Sequence, residues 1–108
     1  MSSLEDRVVA RKSPVHGKGV FALRRIRKGQ YIGTFEGRRT KKDGTYVLWL
    51  VHEDGSETGI RGENALRFLN HSRRPNAELQ ELDLFATRNI QPGAEIYIDY
   101  GEAWDDVD

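Results

Sequence analysis

Turn signals at Ser13-Pro14, Arg27-Lys28-Gly29, Lys42-Asp43-Gly44 and Asp54-Gly55 break the first half of this chain into short pieces. Glycine supplies 11 of the 108 residues and proline only 3, so tight turns must be frequent and long helices rare. Between the turns, "VVARKS", "YIGTF" and "TYVLWLVH" are rich in β-branched and aromatic residues and read as strands. The apolar run Val47 to Val51 in the last of these predicts a buried strand. "GENALRFLN" is the one helical candidate, about two turns long. After it come "AELQEL", "LFATRNI" and "EIYIDY", the last two separated by Gln91-Pro92-Gly93, which suits a type II turn. Alternation in "EIYIDY" sets Ile96, Ile98 and Tyr100 on one face and Tyr97 and Asp99 on the other. The expected fold class is mostly β, several short strands with one short helix.

A chain of 108 residues makes one domain, residues 1–108, with residues 1–6 and 105–108 expected as frayed ends. Hydrophobic residues at 37% and charged residues at 31% suit a folded soluble domain rather than a disordered chain. The longest apolar run is far short of the roughly 20 residues that span a bilayer, so no membrane association is expected. "MSSLEDRVVARKS" lacks a secretory apolar segment, and a cytoplasmic location is expected. Without cysteine, disulfides and thiolate zinc sites are excluded. His16, His52 and His71 have no metal-ligand spacing, so no metal is expected.

Net charge is zero, but the signs are segregated: 12 Lys/Arg against 6 Asp/Glu in residues 1–54, and 5 against 11 in residues 55–108. The tail holds Asp99, Glu102, Asp105, Asp106 and Asp108 and no base, which would favour a cationic partner if it borders a cleft. The basic pairs Arg24-Arg25, Arg38-Arg39, Lys41-Lys42 and Arg73-Arg74 read as solvated loops; with zero net charge, no nucleic-acid footprint is expected.

Three segments carry the chemistry. Gly17-Lys18-Gly19-Val20 brackets a lysine with glycines ahead of a strand. Arg67-Phe68-Leu69-Asn70-His71-Ser72, with Asn64 before it and Pro75-Asn76 after it, sets three hydrogen-bonding side chains directly behind apolar ones. Glu95-Ile96-Tyr97-Ile98-Asp99-Tyr100-Gly101 ends an alternating strand. In this order and spacing they resemble the SET domain, the protein-lysine methyltransferase family, and the resemblance runs from about Val8 to Trp104.

The resemblance implies a β-clip fold of small curled sheets, with a knot-like crossing where the Asp-Tyr-Gly end passes the Asn-His-Ser segment. That segment would then be a buried wall and not a polar helix end. It implies S-adenosyl-L-methionine as cofactor. Backbone at Lys18 and Gly19 would approach the methionine portion, Asn70 would bond its amino-acid end, and backbone at His71 would bond adenine. Tyr31 lies on a strand that borders the cofactor in relatives. Trp104 either packs on adenine or anchors the tail. Tyr100 would be the essential catalytic side chain. Tyr46 either lines the lysine channel with it or is a plain strand aromatic.

The implied reaction transfers a methyl group to the lysine ε-amine of a basic, histone-like protein or peptide. The alternative is a SET-like module that holds cofactor or peptide without turnover; retention of both Tyr46 and Tyr100 favours the enzyme. The chain departs from the family pattern at Arg73, where many relatives have cysteine. It has none of the zinc-binding cysteines that close the cofactor pocket, and it is expected to lack a pre-SET region and most of the substrate-reading insert. A homodimer could supply the missing wall.

Overall fold

The computed structural model describes residues 4–15 and 17–100. His16 and the end from Gly101, with Trp104 and most of the acidic tail, fall outside them. Ten short strands among the described residues form three small sheets. In the first, β1 (Val8–Lys12) pairs antiparallel with β2 (Lys18–Ala22). β10 (Glu95–Ile98) enters between β2 and β7 (Asn70–His71), antiparallel to the former and parallel to the latter, giving the order β1-β2-β10-β7. In the second sheet β9 (Asp83–Ala86) lies between β3 (Tyr31–Thr34) and β8 (Ala77–Gln80). In the third β6 (Glu57–Gly62) lies between β4 (Gly37–Thr40) and β5 (Val47–Val51).

The core gathers one face from each sheet. Val20, Ile32, Leu84 and Ile96 are fully inaccessible, and Ile26, Ile90 and Leu66 nearly so. Alternation along β10 works as the sequence predicts: Ile96 and Ile98 enter the core, Tyr97 is half-buried and Asp99 is exposed. An Ile26–Ile90 bridge ties the turn after β2 to the turn before β10. No helix among the described residues is long and apolar enough to cross a membrane.

Two local expectations need correction. The helix from "GENALRFLN" is a single 3-10 turn, Ala65–Phe68. Asn64 before it (φ −100°, ψ −178°) and Leu69 after it (φ −55°, ψ 127°) are both extended. The chain cannot stay helical beyond Leu69 because Asn70 and His71 are claimed by β10, in the register Tyr97 to Asn70 and Ile98 to His71. Second, β5 is not a buried strand. It is the outer strand of its sheet, half-exposed along its length, and Val51 is 70% exposed. Leu4–Arg7, which overlaps the end expected to fray (residues 1–6), is one helical turn (α1). Leu4 packs on the core close over Gly33, where a Cβ would meet its Cδ1 at 2.5 Å.

Candidate functional site

β7 and the end of β10 build the floor of the site. Asn70 is a buried polar residue, and His71 keeps only 13% of its side chain exposed. The Tyr100 backbone N–H donates to His71 Nδ1 at 2.9 Å, and the Ser72 N–H donates to the Ile98 carbonyl at 3.0 Å, so pairing continues past both strands. Because Nδ1 accepts, a neutral His71 ring carries its proton on Nε2. The Asp99 carboxylate 3.7 Å from the same Nδ1 is then a neighbour rather than a hydrogen-bonded ion pair. The Tyr100 ring leans on His71 at 5.3 Å between centroids, and its hydroxyl donates to the Leu69 carbonyl.

Burial pushes the Tyr100 hydroxyl up to about 12. The side chain is therefore a neutral phenol at physiological pH and no general base. A raised folded-state pKa gives stability that is fully present below the ordinary value of 10.0 and is lost as pH rises toward about 12. Urea titrations at about pH 9 and about pH 11 check this: stability should fall between them, and fall less steeply in Tyr100→Phe. An equal decline in both chains would place the origin elsewhere.

Lys18 enters the site through its backbone. Its carbonyl accepts one amide hydrogen of Asn70 at 3.1 Å, and the other goes to Glu95 Oε2 at 2.8 Å. Gly19 sits against the same pair. A Cβ built there would lie 2.2 Å from Glu95 Oε2 and 3.1 Å from Asn70 Nδ2. The missing side chain at 19 is thus demanded by the carboxylate, a reason that the sequence alone does not reveal.

A cleft of about 1270 Å³ joins these groups, lined by Lys18, Asn70, His71 and Tyr100 on one side and by residues 45–52 on the other. Tyr46 lines it, edge-on to Phe68 with ring centroids 5.3 Å apart. Phe68 also carries the Lys18 ammonium at 5.2 Å and the Arg67 guanidinium at 4.3 Å over its ring. Trp49 in the outer wall is fixed by its indole N–H, which donates to Asp43 at 3.0 Å. Glu78, Glu81 and Asp99 also border the cleft.

Of the residues singled out from sequence, Tyr100, Tyr46, Lys18, Asn70 and His71 share this cleft. Gly19 lies just behind it against Asn70. Tyr31 does not reach it: β3 pairs with β9, the Tyr31 ring meets Phe85 at 5.8 Å, and its hydroxyl bonds Thr34 Oγ1 at 2.5 Å. Trp104 lies outside the described residues.

Two contributors escaped the sequence reading. Asn76 acts as a substitute strand, donating to the Glu95 carbonyl at 2.9 Å and accepting the Tyr97 N–H at 2.8 Å. Glu95 is buried and central to the polar cluster. Both stand within the quoted motifs, but nothing in their spacing marks their roles.

The family model of the SET domain matches residues 17–101, and the chain belongs to this family. Among characterised relatives it is 32% identical, over 87% of its length, to the histone-lysine N-methyltransferase MEDEA of Arabidopsis thaliana. It is 28% identical, over 94%, to the histone-lysine N-methyltransferase trithorax of Drosophila virilis, and 24% identical, over 94%, to the N-lysine methyltransferase KMT5A-A of Danio rerio. It spans only 16%, 3% and 37% of these relatives' lengths. The fold matches the methyltransferase domain of human PR domain-containing protein 2, with a TM-score of 0.69 and 23% identity over 90% of this chain and 79% of that one. A candidate histone methyltransferase of Plasmodium falciparum gives a TM-score of 0.70 at 23% identity, covering 96% of this chain and 98% of that one.

Proposed function

We propose that this SET domain is a protein-lysine methyltransferase that uses S-adenosyl-L-methionine and acts on a basic protein. The observation that carries the reading is one cleft bordered by Tyr100, Asn70, His71, Lys18 and Tyr46 together. Its volume of about 1270 Å³ has room for a nucleoside-sized cofactor beside an extended lysine side chain. Its polar groups suit the cofactor's mixed chemistry, with the Asn70 side chain for the amino-acid end and His71 backbone for adenine. Lys18 and Gly19 would carry the methionine portion.

When bound, the cofactor supplies a methyl group on a sulfonium, which a neutral lysine ε-amine takes as the carbon–sulfur bond breaks. The chain's own part is to neutralise and aim the amine. Free lysine titrates near 10.4, roughly three units above neutral pH. Tyr46, Phe68 and Leu48, around the cleft, offer an apolar lining that disfavours the ammonium and lowers that value by desolvation. Tyr100, held as a phenol on the Leu69 carbonyl, keeps lone pairs that can accept C–H···O contacts and a hydrogen of the amine. Its part is alignment, because a neutral phenol takes no proton from ammonium. Glu78, Glu81 and Asp99 favour a cationic peptide around the target lysine.

The test is transfer of radiolabelled methyl from S-adenosylmethionine to a panel of basic proteins, scored by label and by mass. Label on a lysine of any of them supports the reading. Tight cofactor binding without transfer to any protein, itself included, points to a module that binds without turnover.

A further inference from the structure

The Glu95 carboxylate is buried and takes three donors. Oε1 accepts the Ser13 hydroxyl at 2.7 Å and the Tyr97 hydroxyl at 3.1 Å, and Oε2 accepts the Asn70 amide at 2.8 Å. Ser13 Oγ also accepts the Val15 N–H at 3.0 Å, so the hydroxyl is held on both sides. Burial first, then the bond to Glu95 and its charge, push the Tyr97 hydroxyl above its ordinary range and keep it a donor. The carboxylate is therefore held from two elements, the turn after β1 and β10 itself, and has little freedom to turn away from Asn70. One amide hydrogen of Asn70 goes to Glu95 and the other to the Lys18 carbonyl, so its amide nitrogen has no hydrogen left to donate.

Resting on the cofactor reading above, we propose that Glu95 is a positioning residue for the cofactor's ammonium. By fixing the orientation of Asn70, and by adding a buried negative charge directly behind it, Glu95 makes this end of the cleft select an amine. An amide whose N–H group bonds a carboxylate has a more electron-rich oxygen, so the charge and the orientation act in one direction. Gly19 belongs to the same device, because any larger residue would push the carboxylate off Asn70.

Calorimetric binding of two ligands tests this without turnover: S-adenosylhomocysteine and its deaminated analogue. The parent chain should prefer the aminated ligand by about tenfold or more, as a charge-assisted hydrogen bond would give. Glu95→Gln is nearly isosteric. Its amide can turn its oxygen to Asn70 and its NH2 to the Ser13 and Tyr97 hydroxyls, which can reverse to accept. In this variant the preference should shrink to about twofold or threefold, while affinity for the deaminated ligand is unchanged.

A purely structural role would weaken both ligands alike and overturns the proposal, as does a variant that keeps the parent's preference. Glu95→Asp retains the charge but is one methylene too short to hold Asn70. It carries the same comparison should the glutamine variant fail to fold, and an undiminished preference there also overturns the proposal. Equal affinities for the two ligands in the parent chain overturn it without any variant. A parent chain that binds neither ligand refutes the cofactor reading itself.

Discussion

Tyr100→Phe should lower methyl transfer by about a hundredfold or more while leaving cofactor affinity within about a factor of two. The hydroxyl is the only group removed. It donates to the Leu69 carbonyl, which belongs to the short connection between the 3-10 turn and β7. Without it the ring keeps its contact with His71, and the backbone N–H of residue 100 still donates to His71 Nδ1. The fold around Asn70 is therefore preserved, and the loss should fall on kcat rather than on cofactor binding. The measurements are single-turnover transfer of labelled methyl and direct calorimetry of the cofactor. If the phenylalanine chain transfers at a rate within about threefold of the parent, alignment by the phenol is not what the reaction needs.

The second large effect falls on stability. Gly19→Ala should cost about 2–4 kcal/mol and largely abolish cofactor binding. The new Cβ would lie 2.2 Å from Glu95 Oε2 and 2.9 Å from its Cδ, so the carboxylate must move. Moving it leaves the buried Asn70 amide hydrogen and the Ser13 hydroxyl without their acceptor. Position 19 cannot retreat, because its strand is clamped between β1 and β10, with Arg11 directly opposite Gly19. For a domain of this size the melting midpoint should drop by roughly ten degrees or more. An alanine chain that melts within about two degrees of the parent would mean that the carboxylate can swing aside at little cost.

Motif residues and strand periods were legible where the information is local. Lys18, Asn70, His71, Tyr46 and Tyr100 could be named from sequence, and the structure brings them to one cleft. Ile96 and Ile98 could be assigned to the core from alternation alone. The rest depends on partners far away in the chain. Val47–Val51 has the same composition whether it faces a core or an open cleft, and only the sheet order makes it an outer strand. β4, with Arg38 and Arg39 at its centre, has no strand pattern; it is extended because β6 supplies its ladder.

The two-turn helix expected over residues 62–70 fails because β10, far along the chain, draws Asn70 and His71 into extended pairing. Tyr31 belongs to a strand that does border relatives' cofactor by resemblance, yet here its ring is held by Phe85 on β9. The burial of Glu95 was invisible for a related reason. In a strand reading, a glutamate at the start of "EIYIDY" looks like a solvent-facing residue. It is internal because Ser13, Asn70 and Tyr97 converge on it from separate segments.

The placement of β10 between β2 and β7 has a consequence for biosynthesis. As the polypeptide leaves the ribosome, both neighbours of β10 emerge first and stand with unsatisfied edges. This inner strand is made after both: Glu95 is the register mate of Phe21, and Ile96 of Val20. Until it docks, the nascent chain has no floor beneath the cleft and exposes sticky strand margins. The floor of the cleft should therefore close in one step, only after β10 has been made.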